Sequence, residues 1–163
     1  ERLITDGRKT GAAIRLIGDG DVAGAIAPSL PDSGVDVYMG IGGSPEAVLA
    51  AAAIKCLGGE IQARMWPRDD KERASLKEQG YDAEKIAHIY TTEEMAQGDH
   101  IVFAATGVTD NAMMRGVRVE GRVAVTESIV MRSSSRTVRY IKALHDLTRK
   151  TIRLGSDSHE RAV

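Results

Sequence analysis

Cysteine is almost missing from this chain. Cys56 is the single one among 163 residues, so no disulfide and no cysteine-based metal site can form within it. A reducing, cytoplasmic setting is the expectation that follows. A surplus of basic charge is missing too, and a formal net charge of −1 speaks against a general nucleic-acid binder. No apolar run approaches the roughly 20 residues that a membrane-spanning helix needs, which excludes a helical membrane protein as the expected class. The first residues do not read as a secretory leader. The four histidines, His88, His100, His145 and His159, fall at no ligand spacing. His100 is expected at a strand start and the other three at the surface. No Ser-His-Asp or Cys-His arrangement follows from spacing, and there is no internal repeat, low-complexity run or linker.

What is present is the composition of a globular protein, 42% hydrophobic and 28% charged, and long enough to bury a real core. One domain is expected over residues 1–154, followed by a polar, aperiodic tail over 155–163. The chain opens at Glu1 without a methionine and runs at once into a helical pattern. Its start therefore reads as the middle of a longer protein.

The organising stretch runs from Val35 to Gly59. Val35 to Met39 is short and rich in β-branched residues, a strand pattern fed by the turn signal Pro31-Asp-Ser-Gly34. Gly40-Ile-Gly-Gly-Ser-Pro-Glu46 then permits a sharp turn with open backbone N–H groups. Ser44 is the expected N-cap, with Pro45 at the first helical position and Glu46 in the first turn. Ala47 to Ile54 is apolar all round and predicts a buried helix, with Gly58 and Gly59 as its stop.

The N-terminal end of such a helix attracts anions, phosphate above all. Glu46 opposes that attraction. A carboxylate about 4 Å from a phosphate repels it by roughly 1 to 4 kcal/mol per charge pair, whereas a divalent cation between the two reverses the sign. The alternative is that Glu46 only complements the helix dipole. The turn by itself leaves both readings open.

The same strand–loop–helix logic occurs earlier, in Ala13 to Ile17, Gly18-Asp-Gly-Asp21 and Val22 to Ala27, the last stopping before Pro28. Here, too, Asp-Gly is a turn signal and Asp21 a possible helix cap. Downstream, the pattern predicts a strand at Ile61 to Met65, a polar helix at Asp69 to Gln79 with a capping-box spacing, and a short strand at Ile86 to Tyr90. Thr91 to Glu94 repeats the capping-box spacing before a short helix. His100 to Ala105 predicts a strand ending in a third glycine loop, Thr106 to Asp110. In an open parallel sheet, three such loops would share the carboxyl edge, where ligands bind. From Val117 the texture changes to tight-turn strands: 117–119, 123–126, 129–131 and 137–143, with a hairpin turn at Ser133-Ser-Ser135. The fold class expected is α/β, a mostly parallel sheet flanked by helices with a C-terminal antiparallel hairpin. Between Arg115 and Arg153, ten basic residues face three acids. A phosphate or an acidic neighbouring subunit could use such a surface, but a solvated face is the simpler reading. The six methionines read as core fillers.

Five blocks together resemble a known family: Gly18-Asp-Gly-Asp-Val-Ala23, Pro31-Asp-Ser-Gly-Val-Asp36, Gly40-Ile-Gly-Gly-Ser-Pro-Glu46, Val102-Phe-Ala-Ala-Thr-Gly-Val-Thr109 and Ser135-Arg-Thr-Val-Arg139. Their order and separations, from Ala13 to about Leu147, are similar to the C-terminal half of class II fructose-1,6-bisphosphatase and its sedoheptulose-1,7-bisphosphatase relatives. The resemblance implies an inositol-monophosphatase-like sugar phosphatase that uses Mg²⁺ or Mn²⁺ against the phosphate at carbon 1. It places a catalytic metal ligand on Glu46 and substrate contacts on Asp19, Gly20, Asp21 and Gly43. It also implies that the remaining acidic ligands and a basic phosphate-binding pair belong to an N-terminal half not contained here, so the isolated chain is expected to be inactive. The implied partners are a sugar bisphosphate, that N-terminal half, and further copies in a homo-oligomer. A reading of another class is a non-catalytic, Rossmann-like nucleotide-binding or regulatory domain, although Gly40 to Pro45 lacks the third glycine at dinucleotide spacing. An oligomerisation half that uses the basic hairpin is a third.

Overall fold

The computed structural model describes residues 2–150, so the polar tail and His159 lie outside the described residues. The elements begin with α1 (Arg2–Lys9), α2 (Asp21–Ile26), a 3₁₀ turn (Ala27–Ser29) and α3 (Ser44–Leu57). Next come β1 (Gln62–Ala63), α4 (Asp70–Glu78), α5 (Ala83–Ala87), β2 (Tyr90–Thr91) and α6 (Thr92–Met95). The chain then forms β3 (Val102–Thr106), β4 (Arg118–Glu120), β5 (Val123–Arg132) and β6 (Thr137–Asp146). The architecture is mixed α/β.

Helix α3 is the hub, in contact with α2, α6, β3 and β5. Its alanines bring neighbouring backbones close, and Ala50, Ala51, Ala53, Ile54 and Cys56 are buried. All of these but Ala51 join Ile26, Leu30, Phe103, Met114, Ile129 and Met131 in one core. Each fully buried large side chain, such as Ile26, Ile54, Ile129 or Met131, contributes about 1.5–3 kcal/mol of burial. Helix α3 ends as its sequence predicts, on Gly58 in the left-handed region at φ 78°. The expectation of burial all round fails at Val48 and Leu49, which are exposed. Met39 is also exposed, although the methionines read as core fillers.

Strand β5 is the spine of the larger sheet. It pairs along its whole length with β6 on one side and with β4 and β3 in turn on the other. The sequence suggested two short strands, 123–126 and 129–131. The structure runs them into one because Glu127 and Ser128, polar residues that broke the pattern, have partners across the ladder in Lys142, Ile141 and Thr106. The hairpin turn after it closes with Arg136 N–H donating to Ser133 O, and Arg136 takes a positive φ of 47°.

Every strand pairing among the described residues is antiparallel. The parallel pairing expected from the two early strand–loop–helix units is not formed, for a physical reason. A strand exists only with a partner, and neither Ala13–Ile17 nor Val35–Met39 is paired with another described strand. The strand expected at Ile86–Tyr90 shrinks to Tyr90–Thr91. Asp82 accepts a hydrogen bond from Lys85 N–H at 2.9 Å and starts α5 through the same stretch. Ile61–Met65 similarly shrinks to Gln62–Ala63, paired only with β2. At Thr91 the capping box forms as predicted. At Asp69 it forms on one side only: Asp69 accepts from Glu72 N–H, but the Glu72 carboxylate takes Arg68 N–H instead of the cap's own.

Candidate active site

The first loop, Gly18 to Asp21, delivers its last residue into the first turn of α2. Gly20 is left-handed at φ 76° and is the N-cap, with no side-chain cap bond. Asp19 and Gly20 are exposed, whereas Asp21 is half-buried. Asp21 does not cap the helix; its carboxylate turns toward the second loop. A Cβ placed on Gly42 would lie 3.3 Å from Asp21 Oδ2, so the missing side chain at Gly42 makes room for that acid.

The second loop opens α3. The sequence made Ser44 the cap; the structure gives that place to Gly43, extended at φ −73° and ψ 154°, with no side-chain cap bond. The first intrahelical bond runs from Ala47 N–H to Gly43 O. The Ser44 and Glu46 N–H groups are therefore uncapped by side chains and directed out of the helix end, the arrangement that favours anions. Glu46 is exposed, and its carboxylate folds back over Gly43 so closely that a Cβ there would collide with Oε2. Asp21 and Glu46 thus flank the Gly42-Gly43 peptides from two sides.

Tyr38 is a site residue that the sequence reading passed over. Its ring covers both Gly40 and Gly24: a Cβ at either position would lie 2.5 Å from the hydroxyl or 2.9 Å from Cε2. Burial, and then the charge of Asp21, push its phenol pKa above the usual value. The signal in the sequence was the alternation of Val37, Tyr38 and Met39, which sets Tyr38 on the face opposite its neighbours.

The third glycine loop, 107–117, is tightly built. Gly107 N–H donates to Glu127 O at 2.9 Å, Val117 N–H to Val108 O at 3.2 Å and Gly116 N–H to Asp110 Oδ1 at 2.7 Å. The Glu127 carboxylate accepts from Arg115 N–H and from Arg118 Nη2, each at 3.1 Å. These donors hold it below the usual carboxylate range. Met114 carries this loop onto the same core as α2 and α3. Among the described residues, no hydrogen bond or ion pair ties the loop to Asp21 or Glu46. Arg118 is committed to Glu127 and Glu120. Elsewhere, His88 bonds Glu94 at 2.8 Å and His145 bonds Thr126 at 2.9 Å.

A divalent cation with oxygen ligands takes six or more donors. Among the described residues, no three Asp, Glu, His or Cys side chains gather closely enough to hold a metal ion. Glu46 can supply one ligand, and the donor set present does not make a complete metal centre. Two surface hollows lie away from this turn, one lined by Leu30, Pro31 and Val35, the other by Tyr81, His88 and Tyr90. Among the described residues no helix is long and apolar enough to cross a membrane.

The family model described as bacterial fructose-1,6-bisphosphatase, glpX-encoded, matches residues 1–145. The D-fructose 1,6-bisphosphatase class 2/sedoheptulose 1,7-bisphosphatase of Synechococcus sp. (strain JA-3-3Ab) is 41% identical over 156 residues, 88% of this chain and 44% of that protein. The fructose-1,6-bisphosphatase class 2 of Haemophilus influenzae is 40% identical over 147 residues, 84% of this chain and again 44% of the relative. The chain thus spans less than half the length of these curated relatives. With a match over nearly all its length and the glycine turns in their expected order, the chain belongs to the bacterial glpX-type, class 2 fructose-1,6-bisphosphatase family.

Proposed function

We propose that this chain is the sugar-phosphate-binding half of a metal-dependent bisphosphatase of the inositol-monophosphatase-like superfamily. The reaction is hydrolysis of the 1-phosphate of fructose 1,6-bisphosphate, with sedoheptulose 1,7-bisphosphate as a second substrate, in gluconeogenesis or the Calvin cycle. One observation carries the reading: two carboxylates, Asp21 and Glu46, flank a glycine turn at the uncapped N-terminal end of α3. The relatives' names supply the substrate class.

In this reading, Asp19 and Asp21 accept hydrogen bonds from sugar hydroxyls, and Gly20 keeps their loop in its left-handed turn. The backbone at Gly43 approaches the phosphate, which a side chain there would prevent. Glu46 provides one carboxylate toward Mg²⁺ or Mn²⁺, the ion neutralising phosphate charge that Glu46 alone would repel. The other ion ligands come from an N-terminal half, so the chain alone does not turn over substrate. A cytoplasmic homo-oligomer is the form proposed for the complete enzyme, its parallel sheet completed by that half.

The test is Glu46→Gln in a full-length enzyme carrying this stretch. Phosphate release should fall by at least a hundredfold, and the ion concentration needed for half-activity should rise. Unchanged turnover and ion requirement would refute the role of Glu46. Enzyme-like phosphate release by the 163-residue chain on its own would refute its dependence on another half.

A further inference from the structure

Two glycines leave the room in which Tyr38 lies. On the helix after the first acidic loop, a Cβ on Gly24 would stand 2.9 Å from ring atom Cε2. On the second loop, a Cβ on Gly40 would meet the other end of the same side chain, 2.5 Å from Oη and 2.9 Å from Cζ. The ring therefore reaches from α2 to the opening of the Gly40 to Glu46 turn, and its polar end is the part that lies over the turn. Tyr38 is half-buried and Gly40 exposed. The hydroxyl makes no hydrogen bond to a described residue, and among those residues Arg118 Nη1 is the one side-chain polar atom both buried and unpartnered. The Tyr38 hydroxyl is thus open to a ligand arriving from outside.

The same turn has an acid against it two residues further on. Asp21 Oδ2 would stand 3.3 Å from a Cβ on Gly42. Burial, and then the charge of Asp21, raise the phenol pKa, so the hydroxyl keeps its proton at neutral pH and serves as a donor. The ionised carboxylate only accepts. Few ligand groups suit both. A phosphate oxygen could accept from Tyr38 but is repelled by Asp21. A metal ion is drawn to Asp21 but gains little from a phenol that keeps its proton. Neighbouring hydroxyls of a sugar suit the two together, since one donates while the other's oxygen accepts.

We propose that Tyr38 is a substrate-binding residue whose hydroxyl donates to a sugar oxygen while Asp21 accepts from a neighbouring sugar hydroxyl, the pair orienting the polyol part of the bisphosphate. This rests on the functional reading above and names one more group in the same site. Filling space is not the whole of the residue's part. The atom nearest to the Gly40 position is the oxygen rather than a ring carbon, and Gly40 makes room first for the hydroxyl.

The test is Tyr38→Phe in a full-length enzyme carrying this stretch, which keeps the ring and removes only the hydroxyl. KM for fructose 1,6-bisphosphate should rise roughly three- to tenfold, the worth of one neutral hydrogen bond. The kcat, the ion concentration needed for half-activity and the melting temperature should stay at the parental values. An unchanged KM would overturn the proposal. A fall in kcat with a raised ion requirement would overturn it as well, by putting the hydroxyl on the side of the metal. So would a lowered melting temperature, since the hydroxyl would then serve the fold. The parent enzyme separates the two readings. Failure of the parent to release phosphate from fructose 1,6-bisphosphate sinks the functional reading and this one with it. Normal release by the parent, with KM unchanged in Tyr38→Phe, sinks this one alone.

Discussion

Tyr38 lies across Gly24 so closely that a Cβ on the glycine would stand 2.9 Å from ring atom Cε2. Through this contact the stretch before the second acidic loop rests on the helix that follows the first. Asp21, at the start of that helix, lies against Gly42 at the end of that stretch. A helical glycine is normally a weak point, costing roughly 0.5–1 kcal/mol relative to alanine; here it is the space that the ring occupies.

Gly24→Ala should therefore destabilise the chain despite its better helix propensity. Displacing a packed ring costs about 1–3 kcal/mol, which exceeds the propensity gain and leaves a net loss of roughly 1 kcal/mol. In a Tyr38→Ala background the loss should shrink, because only Ile17 Cδ1, the far end of a flexible side chain, then stands within 2.7 Å of the new Cβ. Urea denaturation of the four variants of this cycle gives the comparison, and equal losses in both backgrounds would show that the ring is irrelevant.

Gly43→Ala should separate function from stability. The glycine's φ of −73° suits alanine, and the obstructing atom is the far end of the flexible Glu46 side chain. The expected stability change is within about 0.5 kcal/mol. In a full-length enzyme, phosphate release should drop at least tenfold, because the displaced carboxylate leaves its place beside the turn. Thermal melting and a phosphate assay on the same preparation test both halves of the statement.

Gly116→Ala should behave in the opposite way. The atoms in its path are backbone, Val108 O at 2.6 Å and Thr109 Cα at 2.7 Å, and backbone cannot rotate aside. A loss of about 3 kcal/mol or more is expected, read as low soluble yield or an early denaturation midpoint. Gly18→Ala is the matching control, since nothing lies within 4 Å of its Cβ position, and its stability should match that of the parent chain.

Acid should weaken the Thr91 cap. Glu94 accepts hydrogen bonds from Thr91 N–H, His88 and the Thr91 hydroxyl, which hold its carboxyl at about 2 against an ordinary 4.5. A carboxyl depressed in the folded state stabilises fully above the unfolded value and loses that contribution as pH falls from about 4.5 toward 2. Melting temperatures of the parent chain and Glu94→Gln should differ near neutral pH and converge in this window. A constant gap down to pH 2 would mean that the ionised carboxylate plays no part.

Local signals in the sequence determined the helices and turns near the site. Pro45 and Gly58 bound α3, Thr91 with Glu94 starts α6, and Asp69 starts α4, because each acts through atoms three or four residues away. The glycine blocks likewise identified the family, which the matched relatives bear out. Glu46 was legible as an acid in a first helical turn, and Asp21 as a loop acid. Their shared position around Gly42 and Gly43 was not, since they are separated in sequence by a full helix and a loop.

Tertiary structure alone decided the rest. It ran β5 unbroken through Glu127 because Arg115 N–H from the preceding loop and Arg118 from β4 satisfy that carboxylate. It also left Ala13–Ile17 and Val35–Met39 unpaired although their pattern is that of strands. The physical reason is common to both. Helix caps and glycine turns are satisfied within a few residues of chain, whereas a strand or a half-buried charge such as Glu127 is completed only by partners that folding brings from farther along the chain.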